Sequence, residues 1–470
     1  MSRKSRLRWP VWLVLSGCAV LLCAEDTPKQ GSEAAYKAAV SDYGAGRYAE
    51  AAHRLEAILP YAAGSFEVHE LLGLTYASMS QNAKALDQLQ RAVLLKPDSA
   101  AGRTNLGAIL LNSGKAELAT DQFREALQLE PENYDANHNL GELYAKSGQI
   151  AKAQVLLARA WRARPDAYDN GYDLAMADLL LGRLDEARQV IGELARTKDG
   201  GELHNLLAQV DEREGKFIDA ANEYETAAHL DPSESNLFDW GSEMLLHRTY
   251  DPAITIFQDA TVRYPNSPRL FIGLGLALYS RARYAESVRA LLRAADLDPS
   301  DPRCYLFLSK AWDSSPDQAA AVTDRFRRYA EQQPNNARAQ YYYAISLWKT
   351  KRMGGTPDPG TVEALLKKSI ALDASFADAH VQLGDLYADQ HEYEPSITQY
   401  ERALALDPGL SDAHYRLGMD YVHVGRKDLA QKELAVYQTL RVQHLTEVDK
   451  ERAEVRQFIY SAKPPAPSEP

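Results

Sequence analysis

The sequence predicts an all-α protein built from stacked helix–turn–helix repeats. The main observation is a self-similarity of 34 residues, which is clearest in the segments 66–99, 100–133 and 134–167. Each segment has a Leu-Gly pair at positions 7 and 8, Ala at positions 20 and 27, and Pro at position 32. Apolar residues also recur with helical spacing in both halves of each segment, which predicts two amphipathic helices per repeat.

Each element of the repeat has a physical reason. The small residues at positions 8 and 20, such as Gly107 and Ala119, allow the two helices to approach closely. A glycine near position 15, such as Gly114, ends the first helix in a left-handed cap. The proline at position 32 follows the second helix and cannot continue it. The repeat is therefore predicted as helix, turn, helix, turn.

The same frame can be followed through most of the chain. It continues through 168–200, 201–233, 234–267 and 268–301, weakens through 302–336 and 337–376, and recovers through 377–410 and 411–444. A degenerate copy precedes these segments, so we predict about twelve repeats within residues 32–440. Residues 25–31 are predicted as a linker, 441–462 as a charged capping helix, and 463–470 as a disordered tail.

These Leu-Gly, Ala and Pro positions resemble those of the tetratricopeptide repeat (TPR) family. The resemblance covers nearly the whole chain after the N-terminal segment. It implies a TPR solenoid, a right-handed superhelix in which the first helix of each repeat lines a concave face. It also implies that this face binds a protein segment at positions 2, 5, 9, 12 and 13, so the expected function is a non-catalytic protein–protein interaction scaffold.

The first 24 residues predict an export signal. A basic start with Arg3, Lys4, Arg6 and Arg8 is followed by an apolar run, and the chain turns polar after Ala24. Within the run, Leu15 to Cys18 ("LSGC") resembles the bacterial lipobox, which implies lipidation at Cys18. Ordinary cleavage near Ala24 and an uncleaved anchor are the alternatives. In every case we expect the rest of the chain in the periplasm, at the outer membrane or outside the cell.

Composition and motifs argue against nucleic-acid binding and catalysis. The net charge is −12, and an acidic body repels phosphate backbones. The Gly114-Lys115 pair does not fit a phosphate-binding loop, because six residues separate it from Gly107 and Ala116 follows it. We therefore predict no catalytic residue, no cofactor and no metal site. The histidines at position 4 (His69, His204, His380 and His414) are predicted to pack in the core, and Cys304 has no disulfide partner outside the signal.

A candidate partner-binding groove lies in the eighth to tenth repeats, residues 268–376. Position 2 falls in the first helical turn, where an acid normally complements the helix N-terminus, but here it holds Arg269, Arg303 and Arg338. Arginine together with aromatic residues is typical of interface anchors. The apolar and aromatic candidates at positions 5, 9 and 12, with one from the repeat before, are Phe238, Ile272, Leu276, Tyr279, Leu306, Tyr341, Ile345 and Trp348.

Two interpretations of this pattern remain open from the sequence. In the first, the groove binds a protein or peptide with apolar and acidic residues. In the second, neighbouring helices shield the aromatics and the arginines pair with Asp301 or similar acids. The function class also has alternatives, namely a carbohydrate- or peptidoglycan-binding module and a regulatory subunit of an enzyme. By analogy the scaffold would serve envelope assembly, secretion or polysaccharide export.

Overall fold

The computed structural model describes residues 27–312, 315–353, 355–442 and 456. Within these residues the chain forms twenty-four α-helices and no strand. They fall into two compact units, which divide between Asp199 and Gly200. The helices of the first unit are α1 (Thr27–Gly44), α2 (Tyr48–Ile58), α3 (Phe66–Ser78), α4 (Asn82–Leu95), α5 (Ala100–Asn112), α6 (Ala116–Leu129), α7 (Tyr134–Lys146), α8 (Ile150–Ala163), α9 (Tyr168–Leu180) and α10 (Leu184–Ala195).

The second unit contains fourteen helices in the part of the chain that the structure describes. They are α11 (Gly201–Glu214), α12 (Phe217–Leu230), α13 (Glu234–Leu246), α14 (Tyr250–Arg263), α15 (Pro268–Ser280), α16 (Tyr284–Leu297), α17 (Pro302–Ala311), α18 (Ala319–Gln332), α19 (Ala337–Lys349), α20 (Pro359–Leu372), α21 (Ala377–Asp389), α22 (Tyr393–Leu406), α23 (Ser411–His423) and α24 (Lys427–Val442).

Consecutive helices form pairs that follow the predicted repeat frame. In both units the odd-numbered helix is the first of its pair and the even-numbered helix is the second, as in α3 with α4 and α15 with α16. The first helices of neighbouring pairs also contact one another, as α3 contacts α5 and α13 contacts α15. The predicted all-α repeat fold is therefore confirmed.

The glycine at position 8 lies where the two helices of a pair cross. A Cβ atom on Gly107 would lie 2.6 Å from the ring of Phe123, and one on Gly241 would lie 2.7 Å from the ring of Phe257. Both phenylalanines are fully buried, so a larger residue at either glycine would push the helices apart. Gly114 has a φ angle of +74° between α5 and α6. The Gly-Lys pair is thus part of a turn between two helices.

The two weak repeats differ from the others locally. The first helix of the ninth pair, α17, has 10 residues, whereas α15 has 13. Tyr305 of α17 still packs on Tyr329 of α18, with the ring centroids 3.9 Å apart. In the tenth repeat, Thr350–Met353 forms a 3₁₀ turn after α19, and α20 begins only at Pro359. The inserted residues therefore lie in the turn between α19 and α20.

The structure moves two predicted boundaries. Residues 27–31 of the predicted linker belong to α1, where Pro28 is tolerated because the first turn leaves its backbone N–H groups unbonded. Residues 441–442 belong to α24, because no Gly or Pro interrupts residues 427–442. The export signal with Cys18, the rest of the predicted capping helix apart from helical Arg456, and the predicted tail lie outside the described residues. No described helix is long and apolar enough to span a membrane.

The helix crossing gives a matched pair of glycine variants. We expect Gly107→Ala to lower the free energy of unfolding by on the order of 1–3 kcal/mol, because the new Cβ overlaps Phe123. Gly192→Ala adds a Cβ with nothing within 4 Å, and it should raise stability by about 0.5–1 kcal/mol through helix propensity. Thermal unfolding followed by circular dichroism measures both. A shift of both variants in the same direction would contradict the packing role of Gly107.

Candidate functional site

The three candidate arginines occupy equivalent places in the second unit. Arg269, Arg303 and Arg338 are the second residues of α15, α17 and α19, as the repeat register predicts. The surface formed by these first helices is called the first-helix face below. The arginines differ in exposure, since Arg269 and Arg303 are partly buried and Arg338 is exposed. The register alone therefore does not make them equivalent as binding groups.

Arg269 is held by neighbours on the preceding repeat. Its Nε lies 2.8 Å from Oε1 of Glu234, and its guanidinium lies 4.9 Å from the centroid of the Phe238 ring. Burial acts to raise the pKa of Glu234, but hydrogen bonds from Ser267 and Arg269 outweigh it and lower that pKa. The positive charge of Arg269 is thus paired with an ionised carboxylate.

Arg303 is paired within its own helix start. Its Nη2 lies 2.6 Å from Oδ2 of Asp301. The Asp301 carboxylate also accepts a hydrogen bond from the backbone N–H of Arg303 and so caps α17. The hydrogen bond to Asp301 raises the pKa of Arg303. The interpretation in which an arginine pairs with Asp301 is therefore confirmed. Arg338 differs, because its guanidinium stands 5.8 Å from the ring centroid of Phe376 and remains exposed.

Four of the apolar candidates do not line an accessible groove. Phe238 and Ile272 are 0% exposed, Leu276 is 1% exposed and Ile345 is 6% exposed. The prediction that these side chains contact a partner is wrong, because the first helices of adjacent pairs pack directly on positions 5 and 9. Tyr279, Leu306, Tyr341 and Trp348 are half-buried and keep part of their surface accessible.

Two of the accessible candidates, Tyr341 and Trp348, lie on α19, the helix that also carries Arg338. Tyr341 and Phe376 make an edge-to-face contact with ring centroids 4.9 Å apart, beside Arg338. Lys351 Nζ lies 4.6 Å from the ring centroid of Trp348. We call Arg338, Tyr341, Trp348, Lys351 and Phe376 the α19 patch. The sequence did not identify Lys351 and Phe376, because one lies in the inserted segment and the other in a turn, outside the positions that the repeat assigns to binding.

The first-helix face of the first unit has the opposite character. Burial raises the pKa of Glu70 to about 7 and that of Asp135 above its ordinary value. The pKa of Asp173 rises to about 6, mainly through burial and further through the nearby Glu142. The face formed by α3, α7 and α9 therefore carries carboxyl groups that are harder to ionise than those of a free side chain. Sequence reasoning did not single out these carboxyl groups, since it had no measure of their burial.

The remaining reactive side chains have structural roles. His69, His380 and His414 are buried, as predicted, and His204 is half-buried. Each position-4 histidine bonds through Nδ1 to a glutamine or glutamate 19 residues later (Gln88, Glu223, Gln399 and Glu433). Burial raises the pKa of the Cys304 thiol, whose Sγ donates to the carbonyl oxygen of Asp301. Among the described residues, no group of three or more His, Cys, Asp or Glu side chains is arranged to hold a metal ion.

The repeat geometry agrees with family models. Models described as tetratricopeptide repeat or TPR repeat match residues 36–100, 70–134, 110–170, 147–210, 245–302 and 384–421, which is more than half of the chain. The chain belongs to the tetratricopeptide repeat family. Tetratricopeptide repeats are protein–protein interaction scaffolds, and the partner class of this chain is accordingly protein.

The TPR chain is similar to several solved structures. PilF of Pseudomonas aeruginosa matches with 18% identity and a TM-score of 0.40, over 45% of this chain and 96% of that one. A tetratricopeptide repeat protein of Parabacteroides merdae matches with 14% identity and a TM-score of 0.41, over 52% of this chain and 97% of that one. No curated protein matches the sequence.

The raised pKa of Glu70 predicts a pH-dependent effect in this TPR protein. A carboxyl whose pKa rises on folding from 4.5 to about 7 contributes stability that is present below pH 4.5 and is lost as the pH rises through 7. Glu70→Gln keeps a hydrogen-bond acceptor for Asn105, and because glutamine does not ionise, it removes the loss of stability at high pH. We expect a gain on the order of 1–3 kcal/mol at pH 8 and little change near pH 4.5.

Urea unfolding at several pH values measures this difference. Glu132→Gln, in an exposed turn of the same unit, is the matched control and should show no pH-dependent gain. A constant difference between Glu70→Gln and wild type across this range would contradict the assigned burial effect.

Proposed function

We propose that this TPR protein is an exported, non-catalytic scaffold that holds a protein segment with apolar and acidic residues on its first-helix face. The proposal rests on the α19 patch, in which exposed Arg338 stands over the ring of Phe376, which contacts half-buried Tyr341, and half-buried Trp348 lies further along the same helix. Arginine and large aromatic residues with partly accessible rings are the residue types that dominate binding energy at interfaces.

The chemistry of the α19 patch selects the partner. An apolar side chain of the partner would cover the accessible parts of Tyr341 and Trp348, and a carboxylate would bind the guanidinium of Arg338. Lys351 adds a second cation, although it also lies 3.4 Å from Asp389. Arg269 and Arg303 contribute less, because Glu234 and Asp301 already neutralise them.

The first-helix faces of the two units differ in their charged groups, and this difference indicates which unit binds the acidic segment. The half-buried carboxyl groups of Glu70, Asp135 and Asp173, when ionised, repel an acidic segment on the first-helix face of the first unit. An acidic segment is therefore proposed to bind at α15, α17 and α19 and not at α3, α7 and α9. Envelope assembly, secretion or polysaccharide export are the processes in which we propose that the scaffold acts.

Reversing one charge tests the α19 patch. We expect Arg338→Glu to weaken binding of a fluorescein-labelled peptide of alternating Leu and Glu by about tenfold, because a carboxylate would then face a carboxylate. Fluorescence anisotropy at low and physiological salt measures the affinity. A Leu–Lys peptide should gain affinity with the same variant. Arg402→Glu, an exposed arginine on α22, makes the same charge change away from the patch and should leave both affinities unchanged.

The single variant is sharper than reversing all three arginines. Glutamate at 269 or 303 would stand against Glu234 or Asp301 and would destabilise the helix starts. Equal affinity of Arg338→Glu and wild type for the Leu–Glu peptide would refute the assignment to α19. Retention on purified peptidoglycan, unaffected by Arg338→Glu, would support the carbohydrate-binding alternative instead.

Export is tested by the mass of the mature protein. We expect the full chain, produced in a bacterial host, to be recovered from the envelope fraction with its N-terminus cleaved near Ala24. Cys18→Ser should leave that mass unchanged, because the proposed cleavage does not use the thiol. A lipid-sized mass that Cys18→Ser abolishes would establish lipidation at Cys18. Recovery of uncleaved protein from the cytoplasm would contradict export.

A further inference from the structure

An open groove in the first unit lies at the junction of the third and fourth helix pairs. Helices α6, α7 and α8 line it, and its volume is about 570 Å³. The floor is apolar and consists of Leu127, Leu140, Leu156 and Val155. Val155 is 48% exposed and Leu127 is half-buried, whereas Leu140 and Leu156 belong to the core beneath them. Val155 and Leu127 are therefore the part of the floor that solvent reaches.

Tyrosines at position 11 usually donate to a glutamate of the preceding second helix. The Tyr76 hydroxyl donates to Glu56 over 2.5 Å, and the Tyr421 hydroxyl donates to Glu401 over 2.6 Å. In both pairs the glutamate precedes the tyrosine by 20 residues. Tyr387 also donates to a glutamate, Glu363. This glutamate precedes its tyrosine by 24 residues, which is one helical turn more than in the other two pairs. A carboxylate beside the phenol is thus a recurrent feature of this chain.

At the groove the recurrent carboxylate is replaced by a cation. The residue 20 positions before Tyr144 is Arg124, whose Nε and Nη2 donate to the Tyr144 hydroxyl over 3.1 and 2.9 Å. Lys152 Nζ lies 5.5 Å from the centroid of the same ring. The described residues that line the groove include these two cations and no carboxylate. The nearest acid to Arg124 is exposed Asp121, whose Oδ1 lies 3.6 Å from Nη1.

We propose that this groove binds a protein segment that places a carboxylate against Arg124, Tyr144 and Lys152 and an apolar side chain on Val155 and Leu127. The incoming carboxylate would accept a hydrogen bond from the Tyr144 hydroxyl. Glu56 and Glu401 accept the same hydrogen bond from the equivalent tyrosines within the fold. Arg124 and Lys152 would supply charge-assisted hydrogen bonds. The accessible apolar residues Leu127 of α6 and Val155 of α8 fit a helical segment with Leu and Glu on one face.

This site is independent of the α19 patch. It lies in the other unit, its two cations are on the second helices α6 and α8, and it shares no residue with the α19 patch. It would give the scaffold a second point of attachment for an acidic, apolar protein segment. An experiment that disproves binding at one site therefore does not disprove binding at the other.

The repeat itself supplies the variant that tests the proposal. Arg124→Glu introduces the residue that the chain carries in two equivalent places, so we expect it to fold and to pair with Tyr144. In the Arg338→Glu background, in which binding at α19 is already weakened, it should lower the affinity for a fluorescein-labelled helical Leu–Glu peptide by a further factor of at least about ten. Arg91→Glu, an exposed arginine on α4 outside the groove, is the matched control and should bind as the background does.

Two further comparisons separate charge from apolar contact. A peptide with Gln in place of Glu should bind the background protein at least about tenfold more weakly, and Val155→Ser should weaken the Leu–Glu peptide by a smaller factor. Circular dichroism must show that the variants are folded, and Arg124→Gln replaces Arg124→Glu if that variant is not. Equal binding of the Gln and Glu peptides, or equal affinity of the Arg124 and Arg91 variants, would overturn the proposal.

Discussion

The close approach of two helices at a glycine is the constraint on which the rest of this structure depends. Gly107, Gly241 and Gly384 each face a buried aromatic ring, of Phe123, Phe257 and Tyr400, at a distance that leaves no room for a side chain. That contact fixes the rotation of both helices in a pair. Once the rotation is fixed, the register decides which positions meet the next pair and which meet solvent.

The same register explains why the arginines at position 2 differ in what they can bind. Direct packing between first helices covers Ile272 and Leu276 completely. It also brings Glu234 within reach of Arg269 across the repeat boundary. The inserted residues after α19 lie beside the one repeat of the three whose arginine remains exposed. The proposed α19 patch therefore lies where the repeat is least regular.

The first-helix faces of the two units carry different charged groups, and the proposed function depends on this difference. The first-helix face of the first unit holds carboxyl groups whose ionisation is opposed by burial, among them Glu70 and Asp173. Elsewhere in the same unit, Arg124 takes the place of a recurrent glutamate and lines the groove that we propose to bind an acidic, apolar segment. A repeat protein can change such positions one at a time, because each helix pair contacts mainly its neighbours.

The fold class, the helix pairs and most of the helix ends follow from the sequence, because glycine, alanine and proline at fixed positions act locally and recur every 34 residues. It also placed the arginines in the first turns of α15, α17 and α19. Only the tertiary structure decided that Phe238 and Ile345 are buried, that Asp301 pairs with Arg303, and that Phe376 stands beside Arg338. Those outcomes depend on which neighbouring helix covers a position, and a pattern within one repeat carries no information about that cover.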